Sequence, residues 1–304
     1  MTLSCDSFRV PAPLKKGDKV GIVSTARKIS AKELQFALDT IANWGLIPVL
    51  GEHIFSVENQ FAGNDQIRTN DFQKMMDNPD IKAIICARGG YGTVRMIDGL
   101  NFESFIKRPK WVAGFSDVTV LHAHLHNLKV CSLHSTMPIS FSDNSHEAIN
   151  SLKTALFGKT TDLTFDKHPL NINGRCQGQI VGGNLSVLYS LIGSSSEINT
   201  KNKILFLEDL DEYLYHIDRM MVNLKRSGKL KHLSGLVIGG MTQMNDNAIP
   251  YGKDVKSIIR DTVYDYNIPL CFDFPAGHIK HNLAIQLGRH VSLNVDENVE
   301  LRYV

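Results

Sequence analysis

Apolar and polar positions come in alternating blocks along the first half of the chain. Lys19–Thr25, KVGIVST, is a short apolar run rich in β-branched residues and reads as a buried strand. In the following SAKELQFALDTIANWG, Leu34, Leu38 and Ile41 recur at helical spacing. Ser30 and Glu33 form a capping-box pattern before them, in which each side chain satisfies an orphan backbone donor, and Gly45 is a stop signal. LIPVL reads as the next strand, and NDQIRTNDFQKMMDNP as a polar helix ended by Pro79. IKAIICARGGYG is a strand running into a glycine turn, and KWVAGFS is another strand. A helix is expected over Val118–Asn127. This alternation predicts an α/β fold, a mostly parallel sheet covered by helices on both faces.

Around Thr160–Arg175, TTDLTFDKHPLNINGR, the pattern loses its period and becomes polar and turn-rich. The stretch reads as a linker, dividing the chain into residues 1–165 and 166–304. Strands are then expected at Lys203–Asp209, Leu233–Gly240 and Pro269–Gly277. The tail AIQLGRHVSLNVDENVELRYV reads as short strands joined by turns. No internal repeat or low-complexity tract interrupts the order.

Composition narrows the function classes. The 304 residues are 43% hydrophobic and 21% charged, which is globular, and the net charge of +2 with no basic block leaves no footprint for nucleic acid. The start MTLSCDSFRVPAPLKKGDKV has neither a basic n-region nor an apolar h-region, and too little apolar sequence precedes Cys5 for a lipoprotein signal. No run approaches the ~20 apolar residues of a membrane span. The five cysteines (Cys5, Cys86, Cys131, Cys176, Cys271) are scattered and form no CxxC, which fits a reducing compartment. A cytoplasmic protein is expected.

Four stretches hold candidate chemistry. In WVAGFSD, Ser116 stands between an apolar strand and a helix, where a nucleophilic hydroxyl would be exposed and backbone N–H groups would face a developing oxyanion. Gly114 supplies the first glycine of a G-x-S-x-G elbow, but Val118 replaces the second, which disfavours an α/β-hydrolase. The same residue reads equally as a helix N-cap, and the local pattern alone favours the cap. The turn ARGGYG, Ala87–Gly92, brings backbone close to a ligand or is a simple tight turn; it matches no nucleotide-binding pattern. In LFLEDLDEYLYHIDRMM, Glu208 and Asp209 end an apolar strand facing a cleft, while Asp211, Glu212, Asp218 and Arg219 read as a solvated face or helix ion pairs. In PAGHIKHN, His278 follows the end of another strand, with His281 as its competitor for a base near neutral pH. His122 and His126 share one helix face, but without an H-E-x-x-H motif they read as packing rather than metal ligands.

Taken together, these segments resemble the LD-carboxypeptidase family of serine peptidases, which also includes the microcin C self-immunity peptidases. LKKGDKVGIVSTA is similar to the family's opening strand, and FAGNDQIRTNDFQKMMDNPDIKAIICARGGYGTVRMID to its most recognisable block. WVAGFSDVTVLHAHLHN is similar to its nucleophile elbow. GQIVGGNLSVLYSLIGS, ILFLEDLDEYLYHIDRMMVNLKRSG and GHIKHNLAIQLGRHVSLN are similar to segments of its C-terminal domain. The resemblance implies an N-terminal α/β sandwich carrying the nucleophile and a smaller, mostly β C-terminal domain carrying the rest of a triad. It implies Ser116 as nucleophile, His278 as general base and acid, and Glu208 as the residue that orients the imidazole. It implies oxyanion donors at the backbone N–H of Asp117 and of Gly90, a homodimer, and no metal or cofactor. Arg88, Asn184 and Arg219 are candidates for lining a pocket for a muropeptide rich in carboxylates.

Two segments depart from the family pattern. His134-Ser135-Thr136-Met137-Pro138 stands where the family has His-Gly-Pro-Met, and Ser24-Thr25-Ala26-Arg27 where many members have a Ser-Pro-Ala-like turn. The expected activity is release of terminal D-Ala from a murein tetrapeptide by cleavage of its L,D-bond. Two rival readings are hydrolysis of microcin C-type aminoacyl-nucleotides and a non-catalytic module that holds an anion in the RGGYG turn.

Overall fold

The structure, a computed structural model, describes residues 8–304; Cys5 and the chain start lie outside it. The first half runs β1 (Lys19–Val23), α1 (Ala31–Asn43), β2 (Ile47–Leu50), α2 (Asp65–Asp77), β3 (Ile81–Cys86), α3 (Glu103–Lys107), β4 (Trp111–Gly114), α4 (Thr119–Asn127), β5 (Ser132–His134) and α5 (His146–Leu156). The second half runs β6 (Leu163–Asp166), β7 (Gly174–Asn184), α6 (Leu185–Ser190), β8 (Lys203–Leu210), α7 (Leu214–Arg226), β9 (Gly235–Thr242), α8 (Val255–Val263), β10 (Leu270–Cys271), β11 (Ile285–Leu287), β12 (His290–Val295) and β13 (Asn298–Tyr303).

Local chemistry fixes the element ends much as the sequence pattern predicts. The capping box forms: Ser30 Oγ accepts from Glu33 N at 3.3 Å, and Glu33 Oε2 accepts from Ser30 N at 2.8 Å. Asn64 Oδ1 accepts from Ile67 N to start α2, and extended backbone at Asn78, before Pro79, ends it.

The first sheet has the order β11-β5-β4-β3-β1-β2, with β1 to β5 parallel and β11 antiparallel to β5. The second has the order β10-β9-β8-β7-β12-β13-β6, with β7 to β10 parallel and the rest antiparallel. The fold class is therefore the expected one, a mostly parallel sheet layered with helices followed by a sheet-rich second half. β11 crosses back from the second half to close the edge of the first sheet.

Two readings of the pattern need correction. The polar stretch read as a linker contains β6, in which alternating Leu163 and Phe165 pack against a buried cluster with Val299 and Leu301. A four-residue edge strand is too short to stand out from a turn-rich neighbourhood. In Pro269–Gly277 only Leu270–Cys271 is strand; Phe272 and Phe274 are buried as irregular chain.

Burial continues across both sheets. Val118, Val120, Leu121, Ala123 and Leu125, from Val118 and α4, share one buried cluster with Val181, Leu185, Leu205 and Leu207 of the second half. Near the start of that helix, Thr119 Oγ1 accepts the backbone N–H of Asn184 at 3.0 Å. Gly183 allows this approach, since a Cβ there would lie 2.5 Å from Thr119 Oγ1. The carboxyl end of β4 is thus held against the carboxyl ends of β7 and β8, where open parallel sheets present their sites.

Candidate active site

The turn from β4 into the helix is sharp. Ser116 has φ +60°, the left-handed region that a residue with a Cβ enters at a cost. Gly114 stands where a Cβ would come within 2.9 Å of Val118 Cγ2. One glycine therefore suffices: Val118 packs over Gly114, so the position two after Ser116 need not be small. Ser116 is not an N-cap, because its side chain caps neither the 3-10 turn Ser116–Val118 nor α4. Asp117 N–H lies in the first helical turn, where backbone donors have no intrahelical acceptor.

The glycine turn after β3 lies beside this elbow. A Cβ on Gly89 would sit 3.1 Å from Ser116 Cβ and 3.3 Å from its Oγ. Gly90 has φ +115°. The buried Asp117 carboxylate accepts Thr93 N–H at 2.8 Å and so fastens the turn to the elbow. Burial pushes the Asp117 pKa up, against the Thr93 hydrogen bonds and the charges of Arg68 and Arg27.

Glu208 and His278 meet directly. Glu208 Oε2 accepts from His278 Nδ1 at 2.6 Å and from the His278 backbone N–H at 3.2 Å. Glu208 sits where the β8–β9 register slips between the Leu207–Ile238 and Asp209–Met241 partners, opposite Gly239 and Gly240. Leu207, Glu208 and Asp209 are all buried, as are Ile204, Leu205 and Phe206 before them, because β8 is a central strand covered on both faces. Gly277 makes room for the pair, since a Cβ on it would lie 2.7 Å from Glu208 Cβ and 2.9 Å from Oε2. The His278 ring rests on Phe115, the residue before Ser116, with centroids 4.8 Å apart. Burial opposes protonation of His278, but the charge and hydrogen bond of Glu208 prevail and hold its pKa above the ordinary imidazole value. Asp209, beside Glu208, is pushed up to about 6 by burial and then by the Glu208 charge.

The competing groups are otherwise engaged. His281 Nδ1 lies 2.8 Å from Ser145 Oγ. His122 bridges Ser132 Oγ and the Gly114 carbonyl, His124 reaches Ser196 Oγ, and His126 packs on Phe8, so the helix histidines are packing groups. Burial drives the Cys86 and Cys131 thiols up to about 12, which leaves neither as a thiolate. Glu212 accepts from His216 one helical turn on, the kind of local pairing the sequence suggests, whereas Asp211 accepts from the distant Asn245. A cleft of 550 Å³ lined by Pro13, Lys15, Asp18, Pro79 and Lys82 lies at the opposite, amino-end edge of the first sheet, away from Ser116 and His278.

The three lining candidates are scattered. Arg88 donates to the Lys28 carbonyl at 3.2 Å and approaches Glu33. Asn184, buried and paired with Glu208 across β7 and β8, gives its amide to Asp209 Oδ1 and caps α6. Arg219 is exposed over the Tyr215 ring. Phe115, Thr119 and Gly277 join the site although sequence reasoning gave them no role. Phe115 and Gly277 flank the motif residues, but nothing local shows that they touch the other half of the chain.

Comparison with known proteins agrees over most of the chain. The LD-carboxypeptidase N-terminal domain matches residues 20–135, and the LD-carboxypeptidase C-terminal domain residues 177–293. A probable murein peptide carboxypeptidase of Bacillus subtilis is 33% identical over 299 residues, covering 94% of this chain and 92% of the relative. A murein tetrapeptide carboxypeptidase of Pseudomonas aeruginosa is 26% identical, covering 89% of this chain and 91% of the relative. Among solved structures, muramoyltetrapeptide carboxypeptidase from Oxalobacter formigenes superposes with a TM-score of 0.86 at 25% identity, over 94% of this chain and 98% of that one. The microcin C7 self-immunity protein, at TM-score 0.85 and 22% identity over 96% of this chain and 98% of that one, shares the fold. By both domain matches and by its relatives, the chain belongs to the LD-carboxypeptidase family.

Proposed function

We propose that this protein is a serine-type LD-carboxypeptidase that removes the terminal D-Ala from murein tetrapeptides during peptidoglycan recycling. The observation that carries the reading is the Glu208–His278 pair at 2.6 Å, lying against the residue that precedes Ser116. In this reading Ser116 Oγ attacks the carbonyl of the L,D-bond. With His278 Nδ1 donating to Glu208, Nε2 takes the serine proton and returns it to the leaving amine of D-Ala. The tetrahedral oxyanion accepts the N–H groups of Asp117 and Gly90. Water, deprotonated by the same Nε2, then hydrolyses the acyl-enzyme and frees the tripeptide. No metal or cofactor takes part in the scheme.

Residues 1–165 would act as the nucleophile domain and 166–304 as the domain of the acid and base. Arg88 and Arg219 would lie at the rim, and Asn184 would support Glu208 from the neighbouring strand. Among the described residues no helix is long and apolar enough to cross a membrane; the scattered cysteines fit a cytoplasmic protein and the family resemblance a homodimer, working on products returned from the wall.

The test is mass spectrometry of L-Ala-γ-D-Glu-meso-diaminopimelyl-D-Ala incubated with the protein or with Ser116→Ala. Loss of one D-Ala by the wild type alone is expected. Turnover by Ser116→Ala would overturn the nucleophile assignment. No turnover by either would overturn the substrate.

A further inference from the structure

Arg27 ends the Ser24-Thr25-Ala26-Arg27 segment, one of the two places where the chain departs from the family pattern. Its stem lies across the glycine turn: a Cβ on Gly90 would come within 2.6 Å of Arg27 Cγ and Cδ and 2.8 Å of Nε. The preceding residue of that turn, Gly89, is the one beside Ser116 Oγ. Hydroxyl and guanidinium therefore flank consecutive residues, which by backbone dimensions places Ser116 Oγ and Arg27 Nε within about 12 Å of each other. The Arg27 backbone N–H also donates to the Gly89 carbonyl, at 3.4 Å, which ties the arginine to the turn.

The neighbouring arginines are occupied. Arg88 is taken by the Lys28 carbonyl and Glu33, Arg95 by Asp65, and the buried Arg68 by the Thr25 carbonyl and Asp65. Arg27 is exposed, and among the described residues its guanidinium enters no hydrogen bond or ion pair. Its charge nonetheless reaches Asp117, whose backbone N–H is the proposed oxyanion donor.

An enzyme that removes a single terminal residue must distinguish a free α-carboxylate from a continuing chain. That carboxylate lies only about 4 Å beyond the scissile carbonyl carbon, one peptide unit away. A guanidinium can take it with two parallel N–H···O bonds. We propose that Arg27 is the specificity-determining residue that binds the substrate's terminal carboxylate. The inference rests on the carboxypeptidase reading above.

The experiment compares the tetrapeptide with its C-terminal D-alaninamide on wild type, Arg27→Gln and Arg27→Lys. The wild type is expected to prefer the free acid. Arg27→Gln should lose about 10- to 100-fold in kcat/KM on the acid, mainly through KM, and leave amide hydrolysis unchanged. Arg27→Lys should recover part of the loss. Amide hydrolysis serves as the internal control for folding. An equal loss on both substrates, or no loss on the acid, with a normal wild type, would overturn this inference alone. A wild type inactive on both substrates would overturn the carboxypeptidase reading, and this inference with it.

Discussion

Glu208 Oε2 and His278 Nδ1 are 2.6 Å apart although 70 positions separate them in the chain. The carboxylate is sealed from solvent on β8, while the imidazole is partly exposed and packs against the Phe115 ring. An acid on one side and a serine turn on the other leave the ring a single useful orientation.

That pairing sets a pH dependence. The base must be neutral, and Glu208 holds the His278 pKa above 6.5. Activity should therefore rise with pH through an inflection on the alkaline side of 6.5. In Glu208→Gln the residual activity, about 10²- to 10⁴-fold lower, should show its inflection moved downward, because burial then acts without the opposing charge. A kcat/KM profile against pH measures both. The same shift favours the folded state: its contribution is fully present below about 6.5 and is lost as pH rises through the folded pKa.

Gly277→Ala tests the room made for the pair. The new methyl would meet Glu208 Cβ and Oε2 below 3 Å, and the backbone there has φ +107°. We expect a loss of about 1–3 kcal/mol in stability and a drop in kcat larger than that of a neutral surface mutant. Denaturant titration and steady-state kinetics on one preparation check the two effects. Unchanged kcat would show that Glu208 can shift without consequence.

Ser116 is held in a left-handed conformation, at φ +60°, which a residue with a Cβ adopts at a cost. Ser116→Ala and Ser116→Gly should both lose about 10³-fold or more in activity. They should separate in stability, with the glycine variant ahead of the alanine variant by about 1 kcal/mol. Equal stabilities would mean that the elbow relaxes once the hydroxyl is gone.

The buried histidines predict weakness in acid. Burial holds His126 down at about 3 and His122 at about 4. Each stays neutral in the folded protein while the unfolded chain takes up a proton below about 6.5. Stability should thus fall as pH drops from about 6.5, by up to roughly 1.4 kcal/mol per pH unit for each group. His126→Gln, neutral throughout, should flatten that slope; urea midpoints at pH 7.5 and 5.0 would measure it.

The sequence by itself determined the alternating architecture, because a buried strand needs a continuous apolar run and an amphipathic helix needs its 3.6-residue stripe. The Ser30–Glu33 box and the Asn64 cap are equally local, and the structure forms both. Resemblance singled out Ser116, Glu208 and His278, but the local pattern left Ser116 divided between a cap and a nucleophile. Only the tertiary structure removed the cap reading, because it shows the Ser116 side chain capping neither the 3-10 turn nor α4. It alone brought Glu208 to His278, two residues on separate segments that meet where a glycine at 277 leaves room for the carboxylate. It alone separated Arg27 from Arg88, two arginines equally visible in the sequence, because which of them has a partner is a matter of what folds beside it. β6 was hidden for the same reason: a four-residue strand is stabilised by its neighbour β13, whose pairing lies more than 130 positions away. Periodicity records how one element meets water and core, whereas a site between elements is set by distances that no single element encodes.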